Sequence, residues 1–217
     1  MISIIKQRIL DHKGGVYVYR VHTHKLESLG NPISHNLKKY LYSVFDSCPD
    51  EHFNNGNLRS SGLKFKVNLN TESTTGHEIN TLSKYGLVVN NDRYKNNHSK
   101  VQVFMLEHDN KTIATEVPIW ASKDEVSQHM PLFTNHDFIT GHIDLLRIED
   151  GKIWVWDYKP NAQREEYATT QVYFYALMLS KRTGIDLSRF MCGYFDSSFT
   201  YIFNPAAKNI SIANYLL

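Results

Sequence analysis

The chain has 217 residues, 41% hydrophobic and 21% charged, a globular composition that excludes a disordered or fibrous chain. Its apolar runs fall far short of the roughly 20 residues that a bilayer span needs. The start, MISIIKQRIL, lacks the apolar stretch and cleavage site of a secretory leader, so an intracellular protein without a membrane partner is expected. Two cysteines, Cys48 and Cys192, are too few for a four-cysteine iron–sulfur cluster and read as free thiols of a reducing compartment. The net charge of +2 is uneven: residues 1–100 hold 14 Lys/Arg and 8 Asp/Glu, residues 101–217 hold 10 and 14. A basic half beside an acidic half suits a protein that holds a polyanion in one place and metal ions in another.

Residues 16–22, VYVYRVH, alternate like a short strand. In SHNLKKYLYSVFDS (34–47), Leu37, Leu41, Val44 and Phe45 recur at helical spacing behind a capping Ser34. Residues 49–70 read as loop with a strand at 63–69. Residues 71–86 read as a helix closed by Gly86, and 90–100 as a polar, Asn-rich loop. Strands are expected at 101–107 and 111–120 around a His108-Asp109-Asn110 turn, then an irregular segment over 121–136. A helical pattern runs from about Gln163 to Arg182, with Ala168, Val172, Tyr175, Ala176 and Leu179 on one side, and stops at Gly184. Residues 190–196 and 199–203 read as strands. The implied class is α/β, a mixed central sheet flanked by helices. Residues 71–217 form its core, and residues 1–70 form an N-terminal α/β extension, within the same domain or appended to it.

The chemistry sits in GHIDLLRIEDGKIWVWDYKP, residues 141–160. Asp150-Gly151 suits a two-residue type I′ hairpin turn. That turn pairs Glu149 with Lys152 and Ile148 with Ile153, and further up it sets Asp144 opposite Asp157 and His142 opposite Lys159. His142, Asp144, Leu146 and Ile148 then share a face with Ile153, Val155, Asp157 and Lys159. Ile143, Leu145, Trp154, Trp156 and Tyr158 form the other, packing face. Carboxylates directly opposite have Cβ atoms about 5 Å apart and repel, and partial burial adds to the cost. Lys159 offsets some of this; a divalent cation offsets more, because paired carboxylates suit a hard cation. A solvated surface hairpin would escape the problem, but the apolar residues on both faces argue against one.

Taken together, these residues resemble the PD-(D/E)xK nuclease superfamily, particularly its RecB-like and lambda-type exonuclease branch. GHID supplies Asp144, WDYK supplies Asp157 and Lys159, and QVYFY supplies Gln171 and Tyr175. Each fragment alone recurs by chance; the order strand, turn, strand, helix makes the set specific. The resemblance spans about residues 111–203. It implies a restriction-endonuclease-like core and metal-dependent, exonuclease-like hydrolysis of DNA, with RNA not excluded. It also implies Mg²⁺ or Mn²⁺ held by Asp144, Asp157 and the carbonyl of Tyr158. Lys159 would orient the water or stabilise developing charge; acting as a base would need a strongly lowered pKa. Gln171 and Tyr175, four apart, share a helix face from which they can bond a phosphate or the metal-bound groups. The family's first core helix usually adds an acid or His: His77 is the candidate, with Glu78, nearer the Ile79/Leu82 stripe, as the alternative. Glu116 is the candidate from the preceding strand, and His142 stands beside the site. The competing function is an inert nucleic-acid-binding module of the same fold, its basic half giving salt-dependent affinity. Glycoside hydrolysis by the carboxylate pair fits less well, since close cross-strand pairing leaves little room for a sugar.

Overall fold

The computed structural model describes residues 4–30, 32–126, 136–207 and 211–213. The chain opens with a hairpin of β1 (Ile5–His12) and β2 (Gly15–His22), followed by α1 (Thr23–Glu27), α2 (Pro32–Ser47) and α3 (Asp50–Asn54). Short strands β3 (Leu58–Arg59), β4 (Lys66–Asn68) and β5 (Glu72–Thr75) lead to the helix pair α4 (Glu78–Val89) and α5 (Asn97–His108). Then come β6 (Thr112–Ser122), α6 (Lys123–Val126), β7 (Phe138–Glu149), β8 (Lys152–Tyr158), α7 (Ala168–Thr183), β9 (Phe190–Phe195), β10 (Phe199–Phe203) and β11 (Ser211–Ala213).

Nine strands form one mixed sheet, ordered β1-β2-β6-β7-β8-β9-β10-β5 with β3 alongside β7. The β8–β9 and β3–β7 pairs are parallel and the rest antiparallel. Parallel β8 and β9 need a crossover, and α7 supplies it. Helix α7 is apolar on nearly all sides because it is almost wholly buried, and Gly184 ends it in the left-handed conformation, at φ 68°. One sheet face packs Leu146, Ile153 and Val155 with Val172 and Phe174 of α7 and Leu37 and Leu41 of α2. The opposite face packs Leu145, Trp156 and Tyr158 with Ile79 of α4 and Val101 and Met105 of α5. The result is the restriction-endonuclease-like layering of a mixed sheet between helices.

Several segments differ from expectation, each for a physical reason. Residues 101–107 are not a strand but most of α5. The alternation of Val101, Val103 and Met105 mimics a strand because the helix is wedged between α4 and the sheet and buries more than one side. Residues 71–86 divide into β5 and α4, and Gly86 lies within α4 rather than closing it. A Cβ there would stand 3.0 Å from the Val101 Cα, so this glycine lets α4 and α5 touch. The expected strand at 63–69 narrows to β4, α7 starts at Ala168 after a 3₁₀ turn at Ala162–Arg164, and β6 with α6 occupies 112–126. The rest of the irregular segment expected over 121–136 lies, for 127–135, outside the described residues. Ile143, expected beside Leu145, packs instead in the larger cluster.

Residues 1–70 contribute β1, β2 and β3 to the main sheet, and Leu10, Tyr19 and Val21 belong to its larger core cluster. Cys48 and Cys192 are buried free thiols. Among the described residues no helix is long and apolar enough to cross a membrane.

The smaller cluster makes one stability prediction. Gly193 pairs with Trp156, and a Cβ on it would fall 2.2 Å from the indole Cζ3 and 2.6 Å from the Tyr201 carbonyl oxygen. Gly193→Ala is expected to destabilise the fold by about 1–3 kcal/mol through overpacking. A lower urea midpoint at unchanged m-value is the expected reading; an unchanged midpoint would refute it.

Candidate active site

The hairpin turn has the register that Asp150-Gly151 implies: Glu149 faces Lys152, Ile148 faces Ile153, and the ladder runs on to Leu145 and Trp156. There it ends, so the expected rungs Asp144–Asp157 and His142–Lys159 do not form. Strand β8 continues on β9, with Asp157 beside Tyr194, while His142 pairs with Pro118 of β6. The Asp144 carboxylate takes the place of the missing rung: its Oδ2 accepts the Tyr158 N–H at 2.8 Å. Beyond this point β7 stays on β6 and β8 on β9, and a cavity lies beside the parted strand ends.

That cavity, about 430 Å³, is lined by Asp144, Asp157, Lys159, Gln171, Tyr175 and Glu116, among others. The Lys159 Nζ lies 2.8 Å from Asp157 Oδ2 and donates to Gln171 Oε1 at 2.9 Å. Gln171 Nε2 donates to the Tyr175 hydroxyl at 2.6 Å and more weakly to Asp157 Oδ1 at 3.3 Å. The two α7 residues thus brace Lys159 and Asp157 in one connected network. Glu116 reaches the cavity from β6, where its backbone sits at φ 50°. A non-glycine residue there carries strain of order 1 kcal/mol, the sort of cost that functional sites hold. Gln102 Nε2 of α5 donates to Glu116 Oε1 at 2.8 Å.

Burial, then the charges of Asp157 and Glu116, push the Asp144 carboxyl well above the usual carboxylate range. Burial likewise raises Glu116 to about 7, against the pull of Gln102. Burial drags Lys159 down, but the Asp157 ion pair and hydrogen bond outweigh it and hold the ammonium above its ordinary value. The cavity therefore carries the Lys159 ammonium beside two acids, Asp144 and Glu116, that burial holds against ionisation.

One residue the sequence left in a polar loop also arrives here. Asn96 caps α5, accepting the His98 N–H at 2.8 Å, and this turn aims the His98 ring at the site. His98 Nε2 stands 3.9 Å from Asp144 Oδ2, and the ring lies edge-on to that of Tyr158 with centroids 5.1 Å apart. Burial lowers its pKa, which favours the neutral, ligating form. His98 and Gln102 are four apart, so α5 presents both from one face. The clue in the sequence was the Asn96 cap together with that spacing.

His77 and Glu78 do not join the cluster. His77 is the α4 N-cap, its ring 5.8 Å from that of Trp156, which belongs to the opposite sheet face. Glu78 is held by the buried Arg147 at 2.8 Å and by Lys111 at 2.7 Å, toward the turn end of the hairpin. A buried guanidinium needs a carboxylate, and Glu78 shares that duty with Asp109, 2.9 Å from Arg147 Nε. His142 is buried on the cavity wall, stacked on Tyr17 with ring centroids 3.7 Å apart.

The donor set fits a hard divalent cation. Glu116, Asp144, Asp157 and the Tyr158 carbonyl offer oxygens and His98 a nitrogen, and the enclosed Asp157 Oδ2 has the Lys159 ammonium 2.8 Å away as a fixed counter-charge. Three acids lining one cavity, with an ammonium paired to one of them, are the equipment of a metal-dependent phosphodiester hydrolase. A family model for the PD-(D/E)XK nuclease superfamily matches residues 76–205, and the chain belongs to that superfamily. Membership points to metal-dependent nuclease chemistry on a nucleic-acid substrate. No curated protein matches the sequence.

Proposed function

We propose that this chain is a divalent-metal-dependent deoxyribonuclease, exonuclease-like in action, using Mg²⁺ or Mn²⁺. The observation that carries the reading is the convergence of Asp144, Asp157 and Glu116 with Lys159 in one cavity. The exonuclease-like part rests on the resemblance of GHID, WDYK and QVYFY to the RecB-like and lambda-type branch.

In this reading Asp144 and Asp157 hold the cation, with the Tyr158 carbonyl, Glu116 and His98 completing its surroundings. The bound cation supplies Lewis-acid activation of water and of the phosphate. Tyr158 N–H keeps the Asp144 carboxylate turned into the cavity. Lys159, protonated near neutral pH, does not take a proton; it offers fixed positive charge to the oxygens that become more negative as the phosphodiester is attacked. Gln171 anchors the ammonium so that little reorganisation accompanies the reaction, and Tyr175 anchors Gln171. His77 and Glu78 take no part.

Purified protein is expected to release nucleotides from linear duplex DNA when Mg²⁺ or Mn²⁺ is added, with no release in EDTA. A circular duplex compared with the same DNA linearised tests the exonuclease assignment: equal degradation of both refutes it. No degradation of DNA under any of these conditions would remove the deoxyribonuclease reading.

A further inference from the structure

Two guanidinium groups on the cavity wall have no role in the chemistry above. Arg20 of β2 and Arg59 of β3 line the same cavity as the three acids. Among the described residues neither makes an ion pair. Arg20 donates only weakly, to the Val18 carbonyl at 3.3 Å. Arg59 is fixed by neutral groups: Nη1 donates to the Lys13 carbonyl and Nη2 to the Tyr17 hydroxyl, 2.5 Å away. Its guanidinium also lies 5.6 Å from the centre of the Tyr17 ring.

The support continues beneath it. Tyr17 stacks on His142 within 4° of parallel, His142 Nε2 is 2.8 Å from His12 Nδ1, and His12 Nε2 is 2.9 Å from Asp50 Oδ1. With the Asp50 carboxylate accepting, both imidazoles donate through Nε2, and the column is ordered from α3 to the cavity. The β1–β2 turn is shaped around the same side chain: Gly14 has φ 102°, and a Cβ there would overlap Arg59 Nη1 at 1.8 Å. A half-buried guanidinium held this firmly, without a carboxylate partner, keeps donor sites for an incoming anion. Planar guanidinium donors suit phosphate oxygens.

We propose that Arg59, assisted by Arg20, is a phosphate-binding wall that grips a nucleic-acid backbone phosphate opposite the carboxylates. The ligand class is a phosphodiester within a nucleic-acid strand. The proposal rests on the nuclease reading for the identity of that strand. It assigns residues 1–70 a direct part in holding substrate, acting through binding and not through the reaction itself.

The test separates this proposal from the nuclease reading by measuring binding without cleavage. The parent protein is full-length Asp157→Asn in Mn²⁺, and the probe is a fluorescein-labelled DNA oligonucleotide followed by anisotropy over a series of salt concentrations. Parent protein is expected to bind with a salt-dependent slope. Arg59→Ala is expected to weaken binding by about tenfold or more, as loss of a hydrogen bond to a charged group does. It should also lower the slope of log K against log salt by about 0.7–0.9, one phosphate contact. Arg59→Lys should keep the slope and lose part of the affinity.

A second arm replaces single phosphates along the oligonucleotide by neutral methylphosphonates. One linkage should weaken binding to the parent and have no effect on binding to Arg59→Ala, a signature that a merely structural role would not produce. The scan on the parent and the Arg20→Ala variant carry the test even if Arg59→Ala fails to fold, as far-UV circular dichroism would show. No salt-dependent binding by the parent, no sensitive linkage, or unchanged slopes in both arginine variants would overturn the proposal. Such a result leaves DNA cleavage by the wild type unaffected. A wild type that binds as described yet never cleaves removes the nuclease reading and leaves the phosphate site standing.

Discussion

Asp157→Asn is expected to reduce metal-dependent DNA cleavage by roughly 10³-fold or more, the loss of several kcal/mol of transition-state stabilisation. The amide keeps the shape of the side chain in a position that is only 2% exposed, so packing is preserved. What disappears is the negative charge that would hold the cation and that faces Lys159 at 2.8 Å. Two effects on stability oppose each other. Lys159 loses its ion-pair partner, which destabilises, while one buried negative charge no longer has to be kept out of water. The melting midpoint should therefore move far less than the rate. The check is single-turnover cleavage alongside calorimetric titration with Mn²⁺, in which the variant shows both a lost rate and weakened metal binding. Equal rates for wild type and variant in both metals would defeat the assignment of Asp157.

The second large effect is on stability against pH. Burial raises Glu116 to about 7 and Asp144 upward as well, so in the metal-free fold both carboxyls keep protons that the unfolded chain has already released. Where the native state binds more protons than the unfolded state, stability falls as pH rises. The window opens near the ordinary carboxylate pKa of about 4 and, for Glu116, closes near its folded value. Above it the full penalty is present. For Glu116 alone the penalty is at most about 3.5 kcal/mol, at 1.36 kcal/mol per unit over the rise from 4.5 to about 7, and less in practice because the side chain keeps some surface on the cavity.

Glu116→Gln should remove that share. In EDTA the variant is expected to melt increasingly above wild type as pH goes from 5 to 8, by roughly 2–4 °C per kcal/mol for a domain of this size. A divalent cation binds the ionised acids and should stabilise wild type more at pH 8 than at pH 5. A difference between variant and wild type that is flat across this range, or that shrinks as pH rises, would show that Glu116 is not held protonated in the cavity.

How much of this was legible depended on range. The Asp150-Gly151 turn sets the hairpin register through local backbone geometry, and five rungs follow it. Gln171 and Tyr175 meet Asp157 and Lys159 because helical spacing and a short connection leave few alternatives, and hydrogen bonds join Gln171 to each of the other three. Gly184 ends its helix for a reason contained in one residue. Beyond the fifth rung the local rule failed. There the Asp144 side chain accepts the Tyr158 N–H that a neighbouring strand would have taken, and the ladder stops.

The mixed α/β class, the hairpin, the long helix after it and the chemical character of Asp144, Asp157 and Lys159 follow from periodicity, turn chemistry and residue type over short stretches. Long-range packing set which helix reaches the site. His98 lies in α5, whose burial against both α4 and the sheet gave it the alternating pattern of a strand, while the expected His77 and Glu78 were drawn off by Trp156 and the buried Arg147. It also decided that Arg20 and Arg59 share a cavity with Asp144, through β2 pairing on β6 and β3 on β7. Contacts between segments some 80 residues apart, such as Leu58 with Ile139, leave no periodic trace, since neither strand's own pattern names its partner.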